Sequence, residues 1–204
     1  MRIIVLLYCL LLSSAAGAGE IYESVAAYLA AATKDYPNGQ YSENKDGISR
    51  VFGFVRGPTE DIGVSVGFIF VLERVAEGYR VEMQSEVFEM RDFLGVNELE
   101  ADTNTRFHID ILSGRMSVPT SDNYRFGLVK GEWRVTGLDR STMERCSDGS
   151  IGVGDSFSAN FLTGAVKYKH AIGCRSARRS HKKKFFPPFP LSRFSPLDLS
   201  EQSP

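Results

Sequence analysis

The stretch that decides the fold is GEWRVTGLDRSTMERCSDGSIGVGDSFSANFLTGAVKYKHAIGC, residues 131–174. It contains the only tryptophan of the chain, Trp133, and two of its three cysteines. Around Trp133 apolar and polar residues alternate, which predicts a half-buried strand. Residues 156–169 are typical of two strands joined by a Thr-Gly turn, and Cys146 and Cys174 stand on either side of that hairpin.

The first residues carry the three regions of a secretory signal peptide. Arg2 precedes an apolar run at residues 3–12, and small residues follow up to Ala18. We therefore predict a signal peptide at residues 1–18 and an exported protein, periplasmic or extracellular. The apolar run is shorter than the roughly 20 residues of a membrane-spanning helix, so we expect no transmembrane segment after signal removal. Lipidation at Cys9 is the alternative, but bulky Tyr8 precedes it where a small residue is expected.

Loss of the signal leaves two cysteines, Cys146 and Cys174, in an oxidising compartment, which predicts a disulfide between them. The bridge would close a loop of 28 residues. The chain-entropy model assigns such a loop roughly 3 to 4 kcal/mol of stabilisation. The alternative is a pair of unpaired buried thiols. If Leu162 pairs with Ala165 across a two-residue turn, Cys174 lies opposite Val153, and the loop after Cys146 must fold back.

Charge is divided unevenly along the chain. Residues 19–166 contain 14 Lys and Arg against 23 Asp and Glu, whereas residues 167–204 contain 9 against 2. We predict a single domain at residues 19–174 and a basic, Phe- and Pro-rich C-terminal tail at residues 175–204. The candidates for binding an anionic glycan or lipid surface are Arg175, Arg178, Arg179, Lys182, Lys183 and Lys184.

The alternative for this tail is a solvated arm that lies on the protein's own acidic body. Nucleic acid is the least available polyanion for an exported protein, so we do not expect it as a partner. The tail also contains apolar residues that favour docking on the domain, namely Phe185, Phe186, Phe189 and Phe194.

The fold class predicted from the periodicity is α+β. Residues 20–33 carry a helical pattern of apolar residues, and from residue 48 onward the pattern has a period near two with frequent turns. We expect the N-terminal helix to pack on a mainly antiparallel β-sheet of about seven to nine strands, arranged as a meander, partial barrel or sandwich, with an extended basic C-terminal tail. Residues 36–47 are interpreted as a loop and residues 91–102 as a connection. The small residues Gly63, Ser65 and Gly67 predict a sheet face that is approached closely, and we expect the N-terminal helix to cover it, with a ligand as the alternative.

His108 and Asp110 are the first candidates for catalysis, because their side chains leave one face of a predicted strand about 7 Å apart. Glu82 and Glu86 are the further carboxylates that general acid–base chemistry would use. An active site requires these residues to converge within about 5 Å in a concave site. The alternative is a solvated charged ladder, which is common on the outer face of antiparallel sheets. The histidines lack metal-ligand spacing, so we expect no metal and no cofactor.

Two segments, WRVTGLD at residues 133–139 and SANFLTG at residues 158–164, carry a resemblance. They resemble a pattern in exported bacterial proteins of uncharacterised function, in which a Trp-bearing strand precedes a hairpin that turns at Ser-x-Asn-aromatic-Leu-Thr-Gly. The resemblance covers about 35 residues and implies a bacterial envelope setting. It implies no activity.

These observations favour a non-enzymatic periplasmic or secreted binding protein, such as an inhibitor or immunity-type partner of another envelope protein. The first alternative is an envelope hydrolase that acts on cell-wall or polysaccharide material. The second is a structural envelope component that is tethered by its basic tail.

Overall fold

The computed structural model describes residues 19–32, 38–43, 49–58, 64–115, 118–146, 148–172, 175–183 and 189–196. Most of these residues lie in strands that form two antiparallel sheets, so the prediction of antiparallel β-structure is confirmed. The prediction of an α+β fold was wrong, because the described chain is mostly β with one short α-helix. The predicted signal peptide lies outside the described residues.

Sheet A is built from the N-terminal half of the chain. Its strands are β1 (Ile21–Tyr22), β2 (Asn38–Glu43), β3 (Arg50–Pro58), β4 (Val64–Val75), β5 (Gly78–Gln84) and β6 (Phe88–Arg91). The order across the sheet is β1-β5-β4-β3-β2, and β6 pairs with the first part of β4.

Sheet B is a continuous meander in which each strand pairs with the next one along the chain. Its strands are β7 (Phe93–Thr103), β8 (Arg106–Arg115), β9 (Val118–Val129), β10 (Glu132–Arg145), β11 (Ile151–Asn160), β12 (Ala165–Ile172) and β13 (Arg175–Lys183). Strands β7 and β13 are therefore the two edges of this sheet.

The main core lies between the two sheets, and this packing explains why the predicted class was wrong. Phe52 of sheet A stacks on Phe107 of sheet B with ring centroids 4.5 Å apart, and Trp133 meets both rings edge-on. Phe126 continues the stack from Phe107. Each sheet thus buries its apolar face against the other, as in a β-sandwich, and the domain does not depend on a helical layer.

The one α-helix among the described residues, α1 (Val25–Ala32), contributes to a second, smaller core on the other face of sheet A. It begins later than predicted because Ser24 caps it: the Ser24 Oγ accepts a hydrogen bond from the Ala27 N–H at 3.1 Å. Tyr28 packs against Phe70, with ring centroids 4.9 Å apart. The helix therefore covers the face of large residues, and the expectation that it covers Ser65 and Gly67 was wrong.

Two segments that were interpreted as irregular form strands. Strand β2 occupies the middle of the predicted loop at residues 36–47, and β7 occupies most of residues 91–102. The pairing of β7 with β8 contains three register shifts. Each shift moves later residues to the opposite face, which erases the period-two pattern that strand prediction relies on.

The predicted C-terminal tail is part of the fold. Residues 175–183 form β13, which pairs with β12 along its length, so the prediction of an extended basic tail was wrong for this stretch. The expected docking of Phe194 is confirmed: it is 1% exposed and contacts Phe88, Tyr124 and Phe126 between the sheets. Phe189 packs on Phe161. Lys184, Phe185 and Phe186 lie outside the described residues.

The hairpin at β11 and β12 is confirmed, but its register differs from the predicted one. Asn160 pairs with Ala165, so the turn has four residues instead of two. The Asn160 side chain stabilises it, since Oδ1 accepts hydrogen bonds from the backbone N–H groups of Leu162 and Thr163. A shift of two residues leaves the same side chains on each face. Cys174 lies outside the described residues, so its pairing with Cys146 stays a prediction.

Candidate functional site

The four candidate catalytic residues are held by different partners. Glu82, on β5 of sheet A, binds the guanidinium of Arg50 through two contacts, of 2.5 Å to Nε and 3.0 Å to Nη2. Glu86 follows β5, is exposed, and donates its backbone N–H to the Ser192 carbonyl at 2.7 Å. Neither carboxylate is among the contacts described for His108 or Asp110, which lie on β8 of sheet B.

His108 and Asp110 share the outer face of sheet B, as predicted, but they face different groups. The His108 ring lies near two carboxylates of β7: Nδ1 is 3.3 Å from Asp102 Oδ1, and Nε2 is 3.6 Å from Glu98 Oε2. Asp110 accepts hydrogen bonds from the Ser121 hydroxyl at 2.6 Å and from the Asn97 amide at 3.0 Å. The convergence that a hydrolase would require is absent from the contacts of these four residues.

The same face of sheet B carries a polar groove with a cavity volume of about 600 Å³. Its lining comes from five adjacent strands, β8 to β12. The strand register arranges the side chains in two rows that cross the sheet. The first row contains Asp110, Asn123, Asp139, Ser158 and Lys167, and the second contains Ser121, Ser141, Ser156 and Lys169.

These rows arise because residues paired directly across antiparallel strands point to the same face of a sheet. Within one strand the two rows are two residues apart, which is roughly 7 Å. Hydroxyl groups and the Asn123 amide share the middle of the groove with Asp139 of β10, Asp110 lies on β8, and the lysines lie on β12. The groove thus combines hydrogen-bond donors and acceptors with charges of both signs.

One end of the groove is fixed by an arginine that crosses the sheet. Arg125 Nη2 donates to Asp139 Oδ1 at 3.3 Å and to the Ala159 carbonyl at 3.0 Å. The side chain can lie flat because its cross-strand neighbour is Gly137, where a Cβ would come within 2.6 Å of Arg125 Nη2. The guanidinium therefore holds Asp139 in place at the edge of the groove.

Strand β13 pairs with β12, the strand that carries the lysines of the groove. Its register places Arg179 opposite Lys169 and His181 opposite Lys167. Five of the six residues predicted to bind an anionic surface, from Arg175 to Lys183, lie on this edge strand. Charged residues on an edge strand also discourage edge-to-edge aggregation, so their position has a structural reason as well.

Sequence reasoning missed the groove because residues 140–155, between the Trp133 strand and the predicted hairpin, were not assigned to any strand. In the structure they complete β10 and begin β11, with Arg145 paired to Ile151. The signal that could have found it is the alternation of Ser156, Ser158, Lys167 and Lys169 on one side of the predicted hairpin. That signal becomes a groove only when the register of all five strands is known.

Within the described parts of the chain, no helix is long and apolar enough to cross a membrane. Comparisons of the chain with protein-family models, with curated proteins and with solved structures find no match.

Proposed function

We propose that this chain is an exported, non-enzymatic binding protein that holds an anionic glycan on the outer face of sheet B. The observation that carries this proposal is the pair of polar rows from Asp110 and Ser121 to Lys167 and Lys169, which line a concave groove of about 600 Å³. Cavities of this size are typical of sites that bind small molecules or short polymer segments.

The chemistry of the lining matches an acidic sugar. Serine hydroxyls and the Asn123 amide both donate and accept hydrogen bonds, as sugar hydroxyl groups do. Lys167 and Lys169 supply cations for a carboxylate or sulfate group of the sugar, and β13 adds further basic residues beside them. Asp110 on β8 and Asp139 on β10 are acceptors for sugar hydroxyls.

Two other classes of ligand fit the groove less well. Protein interfaces are enriched in aromatic residues, Met and Arg at their centres, whereas the rows of this groove consist of Ser, Asn, Asp and Lys. A membrane-binding face would pair its basic residues with exposed apolar ones. Tyr168 borders the groove, but its ring packs on Phe157 with centroids 5.1 Å apart.

Export rests on the signal-peptide pattern at residues 1–18 and on the predicted disulfide. The topology supports the pairing, because β10 ends at Arg145 and β12 ends at Ile172 at the same end of sheet B. Cys146 follows Arg145, and Cys174 lies in sequence between β12 and β13. Two strand spacings, about 10 Å, separate β10 from β12, a gap that the residues of the two turns must close.

The proposal is tested by titrating the purified protein with oligogalacturonate, an anionic glycan, and with a neutral maltooligosaccharide in a calorimeter. We expect saturable binding of the anionic glycan that weakens as salt is added, and weaker binding of the neutral one. The double variant Lys167→Gln, Lys169→Gln should lose roughly tenfold or more in affinity, equivalent to about 1.4 kcal/mol.

The matched control is Lys130→Gln, which removes one lysine charge at the exposed turn between β9 and β10. It should bind as the parent protein does. Equal affinities for the double variant and the control would overturn the assignment of the groove, and absence of any anionic-glycan binding would overturn the proposed ligand.

A further inference from the structure

A histidine and three carboxylates meet on the outer face of sheet B, at the edge formed by β7. Glu100 lies directly opposite His108 in the strand register, and Glu98 lies opposite Asp110. One ligand atom from each of Glu98, Glu100 and His108 lies within 4.8 Å of the others. The His108 side chain is 16% exposed, so it is largely enclosed and still accessible to an ion from solvent.

The two ring nitrogens of His108 face different carboxylates. Nε2 lies 3.6 Å from Oε2 of Glu98, one member of the three-residue cluster. Nδ1 lies 3.3 Å from Asp102 Oδ1. Histidines that bind metals typically present one nitrogen to the ion and the other to a carboxylate, which fixes the orientation of the ring. Asp102 occupies that outer position here.

We propose that Glu98, Glu100 and His108 bind a divalent transition-metal ion such as Zn²⁺, with Asp102 orienting the imidazole. In a tetrahedral zinc site with bonds of about 2.0 to 2.2 Å, neighbouring ligand atoms are roughly 3.3 to 3.5 Å apart. The separation of 3.6 Å between Nε2 and Glu98 Oε2 already approaches this value. The ligand atom of Glu100 lies within 4.8 Å of those of Glu98 and His108.

The two glutamates and the histidine favour one class of metal ion. An imidazole nitrogen suits Zn²⁺, Ni²⁺ or Cu²⁺, whereas Mg²⁺ and Ca²⁺ prefer sites built from oxygen alone. Two glutamates and one histidine leave at least one coordination position for water or an exogenous ligand, as in catalytic zinc sites. The site therefore differs from a closed structural zinc centre.

The surrounding charges favour a cation at this position. Asp102 adds a third carboxylate beside His108, and Arg125, on the neighbouring strand, directs its guanidinium toward Asp139 and Ala159 on the far side. The metal site stands on observations independent of the glycan groove, since it uses β7 and the near end of β8. Either proposal can fail without the other.

The test is calorimetric titration of the untagged full chain with Zn²⁺, with Mg²⁺ as the comparison ion. We expect one saturable Zn²⁺ site and no Mg²⁺ binding at the same concentrations. His108→Asn and Glu98→Gln should each weaken Zn²⁺ binding by roughly tenfold or more, and Asp102→Asn should weaken it by about tenfold through the orientation of the ring. A Co²⁺-loaded sample should show a visible absorption band that His108→Asn removes.

Glu132→Gln is the matched control, because it removes an exposed carboxylate at the start of β10, outside the cluster. It should leave the affinity unchanged. Glu98 is exposed, so its substitution tests the site even if His108→Asn fails to fold. Absence of saturable Zn²⁺ binding, or an affinity that Glu98→Gln leaves unchanged, would overturn the proposal.

Discussion

At the scale of single residues, the buried ion pair between Asp122 and Arg140 joins neighbouring strands on the inner face of sheet B. The guanidinium donates from Nε to Oδ1 at 2.6 Å and from Nη2 to Oδ2 at 2.9 Å, and Asp122 is 7% exposed. The Tyr124 hydroxyl donates to the same carboxylate at 3.3 Å. The geometry is bidentate and largely shielded from water, which makes loss of one partner costly.

We predict that Asp122→Ala lowers the free energy of unfolding by about 3 to 5 kcal/mol, because it leaves the Arg140 charge buried without its partner. Urea denaturation followed by tryptophan fluorescence measures this change. The exposed pair of Arg134 and Glu132 is the control, and Glu132→Ala should cost less than about 1 kcal/mol. Similar effects for the two substitutions would contradict the assigned role of burial.

Individual residues also show where sequence reasoning works. The Lys130-Gly131 turn was predictable from its composition, and both residues have positive φ, as a tight hairpin between Val129 and Glu132 requires. The cluster of Glu98, Glu100 and His108 was not predictable, because its residues become neighbours only through the pairing of β7 with β8. Histidine spacing along the chain carries no information about such a pairing.

At the scale of elements, the C-terminal segment at residues 189–196 connects the two sheets. The Phe189 carbonyl accepts a hydrogen bond from the Val135 N–H of sheet B at 3.0 Å, and the Ser192 carbonyl accepts one from the Glu86 N–H next to sheet A at 2.7 Å. Phe194 fills the core between them. The aromatic and proline content of this segment predicted docking, whereas its site of docking depends on the sandwich.

Phe194→Ala should therefore destabilise the domain by about 3 to 5 kcal/mol, since it opens a cavity that both sheets line. Urea denaturation provides the measurement, and Leu162→Ala is a suitable control because Leu162 is 54% exposed at the β11–β12 turn. The control should change the free energy of unfolding by less than about 0.5 kcal/mol. An unchanged stability for Phe194→Ala would contradict the docking of residues 189–196 between the sheets.

Strands were predictable where apolar and polar residues alternate strictly. They were missed where the strand pairing is irregular or where charged residues are frequent. Strand β10 alternates from Trp133 to Val135 and its pairing with β9 shifts register once, whereas the pairing of β7 with β8 shifts three times. Strand β13 consists mainly of basic and small polar residues, so its composition indicates a solvated tail. It is held as a strand by backbone pairing with β12, a contribution that side-chain patterns do not encode.

At the scale of the whole molecule, the uneven charge of the sequence becomes a charge gradient across one sheet. Edge strand β7 carries Glu98, Glu100 and Asp102, and edge strand β13 carries the basic cluster. The separation of acidic and basic residues was evident from the composition, but their arrangement in the fold was not. Composition predicted an acidic body with a basic arm, and the meander of sheet B places β7 and β13 at its opposite edges, six strand spacings apart.

Buried tyrosines make the stability of the whole domain depend on pH in the alkaline range. Burial raises the pKa of Tyr28 and of Tyr124 well above the ordinary value. Above about pH 10 the unfolded chain loses these phenolic protons and the folded chain keeps them, so stability falls as pH rises. We predict a loss of roughly 2 to 3 kcal/mol between pH 9 and pH 11, measured by urea denaturation at each pH.

Tyr28→Phe removes one of these two buried phenols and should reduce their combined contribution to this loss by about half. An equal loss in the variant and the parent protein would assign the alkaline sensitivity to other groups.

The central claim is that the ligand lies along the polar rows of sheet B. Its most direct test is a nuclear magnetic resonance titration of isotope-labelled protein with oligogalacturonate, following the backbone amide signals. We expect the largest shifts at Ser141, Ser156, Ser158 and Lys167. The signal of Gly131, in the turn between β9 and β10, should stay unchanged. Shifts centred on sheet A, or spread evenly over basic residues outside the groove, would contradict it.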